Sequence, residues 1–340
     1  MSAKTVTYIA DEGLQAAVEV ARALRMPLLV TGEPGTGKTQ LAYWVAQLIR
    51  EEEAKKTGKK PLDEKQDPRV LRFNTKTTSV ARDLFYRFDA VRHFRATQQN
   101  PGQPANVFDF LTFEALGKAI LAAGQRQFVV LVDEIDKAPR DFPNDVLFEF
   151  EDLAFRVEEA TPGDFEGYKG RFGQKPEFLE LNVPVQEPNH KQGVIRIPEN
   201  APWPVLILTS NSEKNLPDAF LRRCVFYHIP FPEKEALLEI VEKNADISGN
   251  YQKLIAKAAD NFLELRQIGL RKQPSTSELI HWVEILAGRK IDLDKAAKDP
   301  AAYRELKKTF PVLAKNKDDL EKLQSSLEGK FKAAQGQTKK

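Results

Sequence analysis

The string Gly32-Glu33-Pro34-Gly35-Thr36-Gly37-Lys38-Thr39 constrains this chain more than any other feature. It fits G-x-x-x-x-G-K-[ST], a pattern that background composition produces by accident in about one chain in a hundred of this length. The context fits as well: the apolar run Leu28-Leu29-Val30 precedes it, and Leu41, Trp44, Val45 and Leu48 follow at helical spacing. Glycines let the backbone curl until successive N–H groups face one anion, and the following helix adds its positive N-terminal end. Lys38 is then placed to reach the β and γ phosphates of a nucleotide, and the Thr39 hydroxyl to ligate magnesium.

A second group of polar residues closes another apolar run. Phe128 to Val132 reads as a strand buried on both faces, and Asp133-Glu134 stands at its carboxyl end. In open parallel sheets ligands sit at that edge. Asp133 is expected to hold magnesium through water, and Glu134 to polarise water against the γ-phosphate. Strand-end acids also serve as ordinary helix caps; their pairing with the glycine turn selects the chemical reading. Thr209-Ser210-Asn211 follows the strand Val205 to Leu208, where the Asn211 amide can bond both the γ-phosphate and the attacking water, or act as a turn residue. With a further strand expected at Val70 to Phe73, Arg222-Arg223 precedes a fifth strand at Val225 to Ile229; such arginines form surface ion pairs, or stabilise charge on a transferring phosphoryl group.

Strands separated by helical stretches predict an α/β fold with a parallel sheet and right-handed crossovers. Residues 14–24 read as an amphipathic helix with Leu14, Val18, Ala21 and Leu24 on one face, and helices are expected near 80–95 and 110–123. Glu51 to Arg69, dense in charge and containing Pro61 and Pro68, reads as an exposed connection. After Pro230-Phe231-Pro232 the pattern is wholly helical. The predicted domains are therefore 1–230, a smaller helical domain over 231–290, and a basic helical extension over 291–340. Within the first, residues 157–200 hold five glycines and five prolines in 44 residues and form an insertion. There Phe178 to Val183 and Val194 to Ile197 are expected to pair as a hairpin.

The 340 residues, 41% hydrophobic and 29% charged, belong to a globular chain long enough for two domains. Fifty-one basic against 49 acidic residues leave +2, so no global field advertises nucleic acid or membrane. Arg289 to Lys340 carries a net +6, read as a solvated helical end, and residues 1–288 a net −4. The single Cys224 fits a reducing cytosol, the N-terminus has no apolar signal-like region, and no apolar run approaches the roughly 20 residues of a membrane span. A cytoplasmic protein is the expectation. Four scattered histidines and one cysteine have no zinc-ligand spacing, and no Ser-His-Asp or Cys-His nucleophile constellation is discernible.

In this order the elements resemble the AAA+ ATPases over about residues 5–286. Gly32 to Thr39 looks like their Walker A and Phe128 to Glu134 like Walker B. Asn211 stands at the sensor-1 position and Arg222-Arg223 where arginine fingers lie; similarity to clamp-loader-like Arg-Cys endings favours Arg223, with Arg222 the alternative. Leu216-Pro217-Asp218-Ala219-Phe220-Leu221 and the region before Phe128 are most similar to the MoxR branch, related to dynein-type modules. The resemblance implies a five-stranded αβα domain with a helical lid, ATP and Mg2+ as ligands, and a hexameric homo-oligomer with ATP between subunits. It implies a chaperone-type role on a protein client, with a von Willebrand A-domain adaptor. A nucleic-acid motor or loader, disfavoured by the −4 balance of 1–288, and a nucleotide-gated switch that does not hydrolyse are the alternatives. Phe165, Tyr168, Phe172 and Phe178 of the insertion would then grip the client, the alternative being a surface insertion without such a role. The family's sensor-2 arginine falls at Ser277, so that either Arg271 or Lys272 substitutes or lid closure is not coupled to phosphate through an arginine.

Overall fold

The computed structural model describes residues 7–326 except 100, 101, 103, 104, 125, 182–184, 186–188, 192, 213–215 and 250. Its contacts divide into two units. A sheet unit comprises Ala10–Gly32 and Lys38–Ile229; a helical unit comprises the described residues of Met1–Ile9, Glu33–Gly37 and Pro230–Lys340.

The sheet unit opens with α1 (Glu12–Leu24), whose first turn is capped by the Asp11 carboxylate accepting the Leu14 N–H at 2.8 Å. Leu14, Val18 and Ala21 are buried, whereas Leu24 is 60% exposed. At 100° per residue Leu24 falls about 80° away from Leu14, at the margin of the stripe. Strand β1 (Leu28–Gly32) then leads through the glycine turn to α2 (Lys38–Thr57), and β2 spans Val70–Asn74. The expectation of an exposed connection over Glu51 to Arg69 holds for residues 55–63, 65 and 66, which are exposed, and fails at its two ends. Helix α2 runs on to Thr57, and Arg50, Asp67 and Arg69 are buried in an ionic cluster. Arg69 pairs with Glu53 at 2.5 Å and Asp67 at 2.7 Å, Arg126 joins Asp67 at 2.7 Å, and Arg50 pairs with Glu64. Charge density reads as solvation in sequence; here partners distant in the chain neutralise it.

The predicted helices near 80–95 and 110–123 are partly strands. Strand β3 (Tyr86–Phe88), α3 (Ala90–Gln99), β4 (Leu111–Phe113) and α4 (Ala115–Ala122) follow in order, with β3 and β4 antiparallel, Arg87 opposite Thr112. Three-residue strands are too short for a period-2 pattern to declare itself. Strand β5 (Val129–Asp133) comes next, then the short α5 (Phe142–Asp145) and α6 (Leu147–Asp152), β6 (Ala154–Arg156), α7 (Pro162–Tyr168), α8 (Pro176–Leu179), β7 (Asn189–Lys191), β8 (Val194–Arg196), β9 (Val205–Ser210), α9 (Asp218–Leu221) and β10 (Val225–Ile229).

The central sheet is five-stranded and parallel in the order β10-β1-β9-β5-β2, as the strand–helix alternation predicted. Strands β1, β5 and β9 are buried along their whole length, which is why they read as unbroken apolar runs. Helix α1 packs on β1 and β10, α2 on β1, β2, β5 and β9, and α4 on β2 and β5. Because all five strands run one way, Gly32, Asn74, Asp133 and Ser210 end at a single edge; Asn74 lies opposite Asp133 and Thr31 opposite Ser210.

The insertion departs from expectation. Strand β8 pairs antiparallel with both β6 and β7, while Phe178 lies in α8, not in a strand; Asn182 and Val183 lie outside the described residues. Phe165, Tyr168, Phe172 and Phe178 are at most 5% exposed, so they are core residues and not a surface grip. They close on Phe108 and Phe113: Phe108 lies 4.7 Å from Phe165 and 5.0 Å from Phe172 between ring centroids, and Phe113 lies 5.8 Å from Phe178. Lys175 is buried in the same cluster, donating to the carbonyls of Phe108 at 2.9 Å and Leu111 at 2.7 Å. Burial holds its ammonium below the usual lysine range.

The helical unit contains α10 (Lys234–Asn244), α11 (Gln252–Arg266), α12 (Thr276–Gly288), α13 (Leu293–Ala296) and α14 (Pro300–Lys307). Leu237, Val241, Phe262, Trp282, Leu306, Phe310 and Leu323 form one core, and the Trp282 indole donates to Thr309 Oγ1 at 2.8 Å. The net charge of the chain beyond Arg289 predicts a solvated end. Instead Leu293, Leu306, Phe310, Leu313 and Leu323 are buried, and residues 327–340 lie outside the described residues.

Helix α12 starts on a capping box in which the Ser275 N–H donates to Glu278 Oε2 at 2.6 Å, and Lys315 Nζ lies 3.0 Å from Glu278 Oε1. Burial pushes the Glu278 carboxyl up, but the bonds from Ser275 and the Lys315 charge outweigh it and hold it below the usual glutamate range. Since the folded value lies under the unfolded one, this stabilisation is complete above the unfolded value of about 4.3 and is lost as pH falls through the folded value. Glu278→Ala is expected to cost about 1 kcal/mol in urea unfolding at neutral pH. The difference from wild type should shrink steadily on acidification below about pH 4.

Candidate phosphate site at the carboxyl edge of the sheet

Strand β1 delivers Gly32 to the sheet edge, and the chain reverses before α2 begins at Lys38. Gly35 and Gly37 adopt φ of +78° and +88°, the left-handed region that only glycine enters freely. Within the helical unit a Cβ on Gly35 would collide with the Ser275 side chain, and one on Gly37 would lie 2.9 Å from the Tyr8 ring. Glu33, Pro34, Thr36 and Gly37 complete the loop. Its main chain is held by the Thr36 N–H and hydroxyl, which donate to the Glu33 carbonyl at 3.3 and 2.8 Å.

In the sheet unit Lys38 is 9% exposed and its ammonium donates back to the Gly32 carbonyl at 2.7 Å. Thr39, in the first turn of α2, presents its hydroxyl to the Asp133 carboxylate at 3.3 and 3.4 Å. The sequence-selected Gly32, Lys38, Thr39 and Asp133 are therefore neighbours, although Thr39 and Asp133 are separated by 94 residues.

Two residues that sequence reasoning passed over complete the environment of Asp133. Thr209 Oγ1 donates to Asp133 Oδ1 at 2.5 Å and accepts the Glu134 N–H at 2.9 Å, so one hydroxyl ties β9 to the end of β5. Arg72 Nη2 donates to Asp133 Oδ2 at 2.6 Å from the edge strand β2. Weak signals existed: Thr209 is the first polar residue after an apolar run, and Arg72 is a lone charge inside the expected strand Val70 to Phe73. Neither says what lies opposite it.

Glu134 has φ 56° and ψ 52°, a left-handed conformation that costs a non-glycine residue roughly 1–2 kcal/mol. The bond from its N–H to Thr209 holds that bend. Its carboxylate is exposed and paired with Lys137 Nζ at 2.5 Å, which holds the lysine ammonium above its usual range.

Asn211 lies just past β9, exposed, its N–H 3.4 Å from Asp136 Oδ1; the bond to Asp133 from this strand comes from Thr209 instead. Asp136 also lines a cavity of about 570 Å³ with Arg140, Asn144 and Leu216. The two arginines are not gathered at Asp133: Arg222 is exposed at the C-cap of α9, and Arg223 Nε pairs with Glu151 at 2.8 Å, both side chains about half exposed. In the helical unit Arg271 and Lys272 are exposed, their N–H groups bound by Asp319 at 2.7 and 3.0 Å. Arg266, in the same unit, was not singled out in the sequence. It pairs with Glu33 at 2.6 Å, bonds the Pro274 carbonyl and stacks 3.6 Å from the Phe231 ring centroid.

Among the described residues no helix is long and apolar enough to cross a membrane, and no group of three or more His, Cys, Asp or Glu side chains could hold a metal ion. Neither a protein-family model nor a curated protein sequence matches the chain. Among solved structures it is similar to an Ala-to-Ser mutant of RuvB from Thermotoga maritima, at 13% identity over 89% of this chain and 77% of that one, with a TM-score of 0.36. It is also similar to NtrX from Brucella abortus, at 13% identity over 84% of this chain, with a TM-score of 0.41; the match spans 52% of the length of NtrX. Likenesses this distant carry no argument, and the fold rests on the five-stranded parallel sheet and the residues along its carboxyl edge.

Proposed function

We propose that this chain is a Mg2+-dependent ATPase of the AAA+ type, of the MoxR-like branch, that couples hydrolysis to remodelling of a protein partner. The observation that carries the reading is the meeting of Thr39 Oγ1 with the Asp133 carboxylate at 3.3 Å, at the sheet edge where the glycine turn ends in Lys38. One hydroxyl and one carboxylate are hard oxygen donors that leave room for water and phosphate, which suits Mg2+. When bound, Mg2+ neutralises charge on the phosphates.

The chain's own residues divide the remaining work. The loop from Gly32 to Gly37 offers backbone N–H groups to the phosphates, and Lys38 exchanges the Gly32 carbonyl for a phosphate oxygen. Glu134 accepts a proton from the attacking water, its carboxylate leaving Lys137 to do so. Thr209 keeps Asp133 and the Glu134 backbone in register, and Asn211 orients the water.

Arg223, with Arg222 as the alternative, serves the nucleotide of a neighbouring copy in a ring, the six-membered assembly expected of the type. Its exposed pairing with Glu151 supports this, since such a pair contributes only about 0–1 kcal/mol and is readily exchanged. The partner is a protein, reached through a von Willebrand A-domain adaptor.

Subunit mixing tests the reading. Arg223→Ala is expected to bind ATP normally and to lose hydrolysis by about 10³-fold. Mixing it with the equally inactive Lys38→Ala should restore turnover, because an intact site then meets an intact arginine. Mixtures as silent as their components, at concentrations where the subunits associate, would count against hydrolysis between subunits.

A further inference from the structure

Both oxygens of Asp133 are already bonded by protein groups. Its side chain is 9% exposed, Thr209 Oγ1 takes one oxygen at 2.5 Å and Arg72 Nη2 takes the other at 2.6 Å. A carboxylate removed from water needs a counter-charge, and Arg72 lies within hydrogen-bond distance of it. The register explains how it reaches: Arg72 lies opposite Leu131 and Asn74 opposite Asp133, so the guanidinium crosses diagonally to the next side chain on the same face. Strand β2 is the sheet's edge and the Arg72 side chain is 45% exposed, so it has solvent to withdraw into. A divalent cation approaching Asp133 therefore meets a carboxylate occupied by a group of its own sign.

We infer that Arg72 is a resident counter-ion for Asp133 that Mg2+ has to displace from Oδ2, and that it thereby sets the Mg2+ concentration at which nucleotide is held. This rests on the nucleotide reading of the same site and adds a positioning residue to it. Without cation, Arg72 holds the carboxylate facing Thr39 and keeps it from recruiting stray metal. With Mg2+ and nucleotide present, the guanidinium leaves the carboxylate oxygen for solvent.

The test uses the full chain as wild type, Arg72→Gln and Arg72→Lys. Binding of a fluorescent ATP analogue is titrated with Mg2+ from an EDTA baseline, and thermal unfolding is followed with Mg2+ alone. Arg72→Gln is expected to reach half-maximal Mg2+ response at about tenfold lower concentration, with binding in EDTA unchanged. Arg72→Lys, which keeps the charge but not the planar fork, should fall between it and wild type. Mg2+ alone should raise the melting temperature of Arg72→Gln and not that of wild type.

An unchanged Mg2+ response in Arg72→Gln overturns the inference, whether or not its melting temperature falls. Weaker ATP binding in EDTA also overturns it, by making Arg72 a phosphate ligand. If wild type binds no nucleotide while Mg2+ still stabilises only Arg72→Gln, the counter-ion role stands and the nucleotide reading fails. If neither response occurs, both fail.

Discussion

Glu134→Gln is expected to bind ATP as wild type does and to turn it over about 10²–10⁴-fold more slowly. The substitution keeps the volume of the side chain, and the backbone that aims it is fixed elsewhere: the Glu134 N–H bonds Thr209, which in turn bonds Asp133. What is lost is the capacity to take a proton. The ion pair with Lys137 disappears as well, but both side chains are about half exposed, and such a pair contributes at most about 1 kcal/mol. Stability and ATP affinity should therefore move little while phosphate release collapses. Equal turnover in the two proteins would leave a nucleotide-gated switch as the better description. The slowed variant is also the form in which to capture the protein partner under ATP and identify it by mass spectrometry.

Phe172→Ala is expected to destabilise the chain by about 3–5 kcal/mol, read as a shift in urea midpoint of the sheet unit's transition. The ring is 1% exposed and packs 5.0 Å from Phe108, 5.1 Å from Tyr168 and 6.4 Å from Phe113, centroid to centroid. Its removal opens a cavity among rings contributed by two separate stretches of chain. Against a total stability of roughly 5–15 kcal/mol this is a large loss. A ring on an exposed client-gripping hairpin would change stability by about 0.5 kcal/mol or less, so the measurement separates the two placements.

The contrast between these two predictions marks how far the sequence could be read. The glycine turn, the Asp133-Glu134 pair and the buried strands were legible because their signals are local. A parallel sheet buried on both faces must write its strands as apolar runs, and a phosphate cradle must write its glycines at fixed spacing. The insertion was misread because aromatic content does not reveal direction. Phe165, Tyr168, Phe172 and Phe178 look the same on paper whether they face a client or, as here, Phe108 and Phe113. Likewise the charged stretch before Val70 held no hint that Arg69 would bury itself against Glu53 and Asp67, or that Arg126 would join them.

Read along the chain alone, an apolar strand, a glycine turn ending in Lys38 and Thr39 and a helical stretch from Leu41 follow one another, and an acidic pair closes a second apolar run. Those are consequences of neighbours in the chain. That Thr209 and Arg72 share the oxygens of Asp133, and that Arg223 pairs with Glu151, follows from the folded arrangement. The first two contacts depend on strand order and register, which place residues far apart in sequence on one edge of a sheet. No periodicity within a segment encodes which segment will lie beside it.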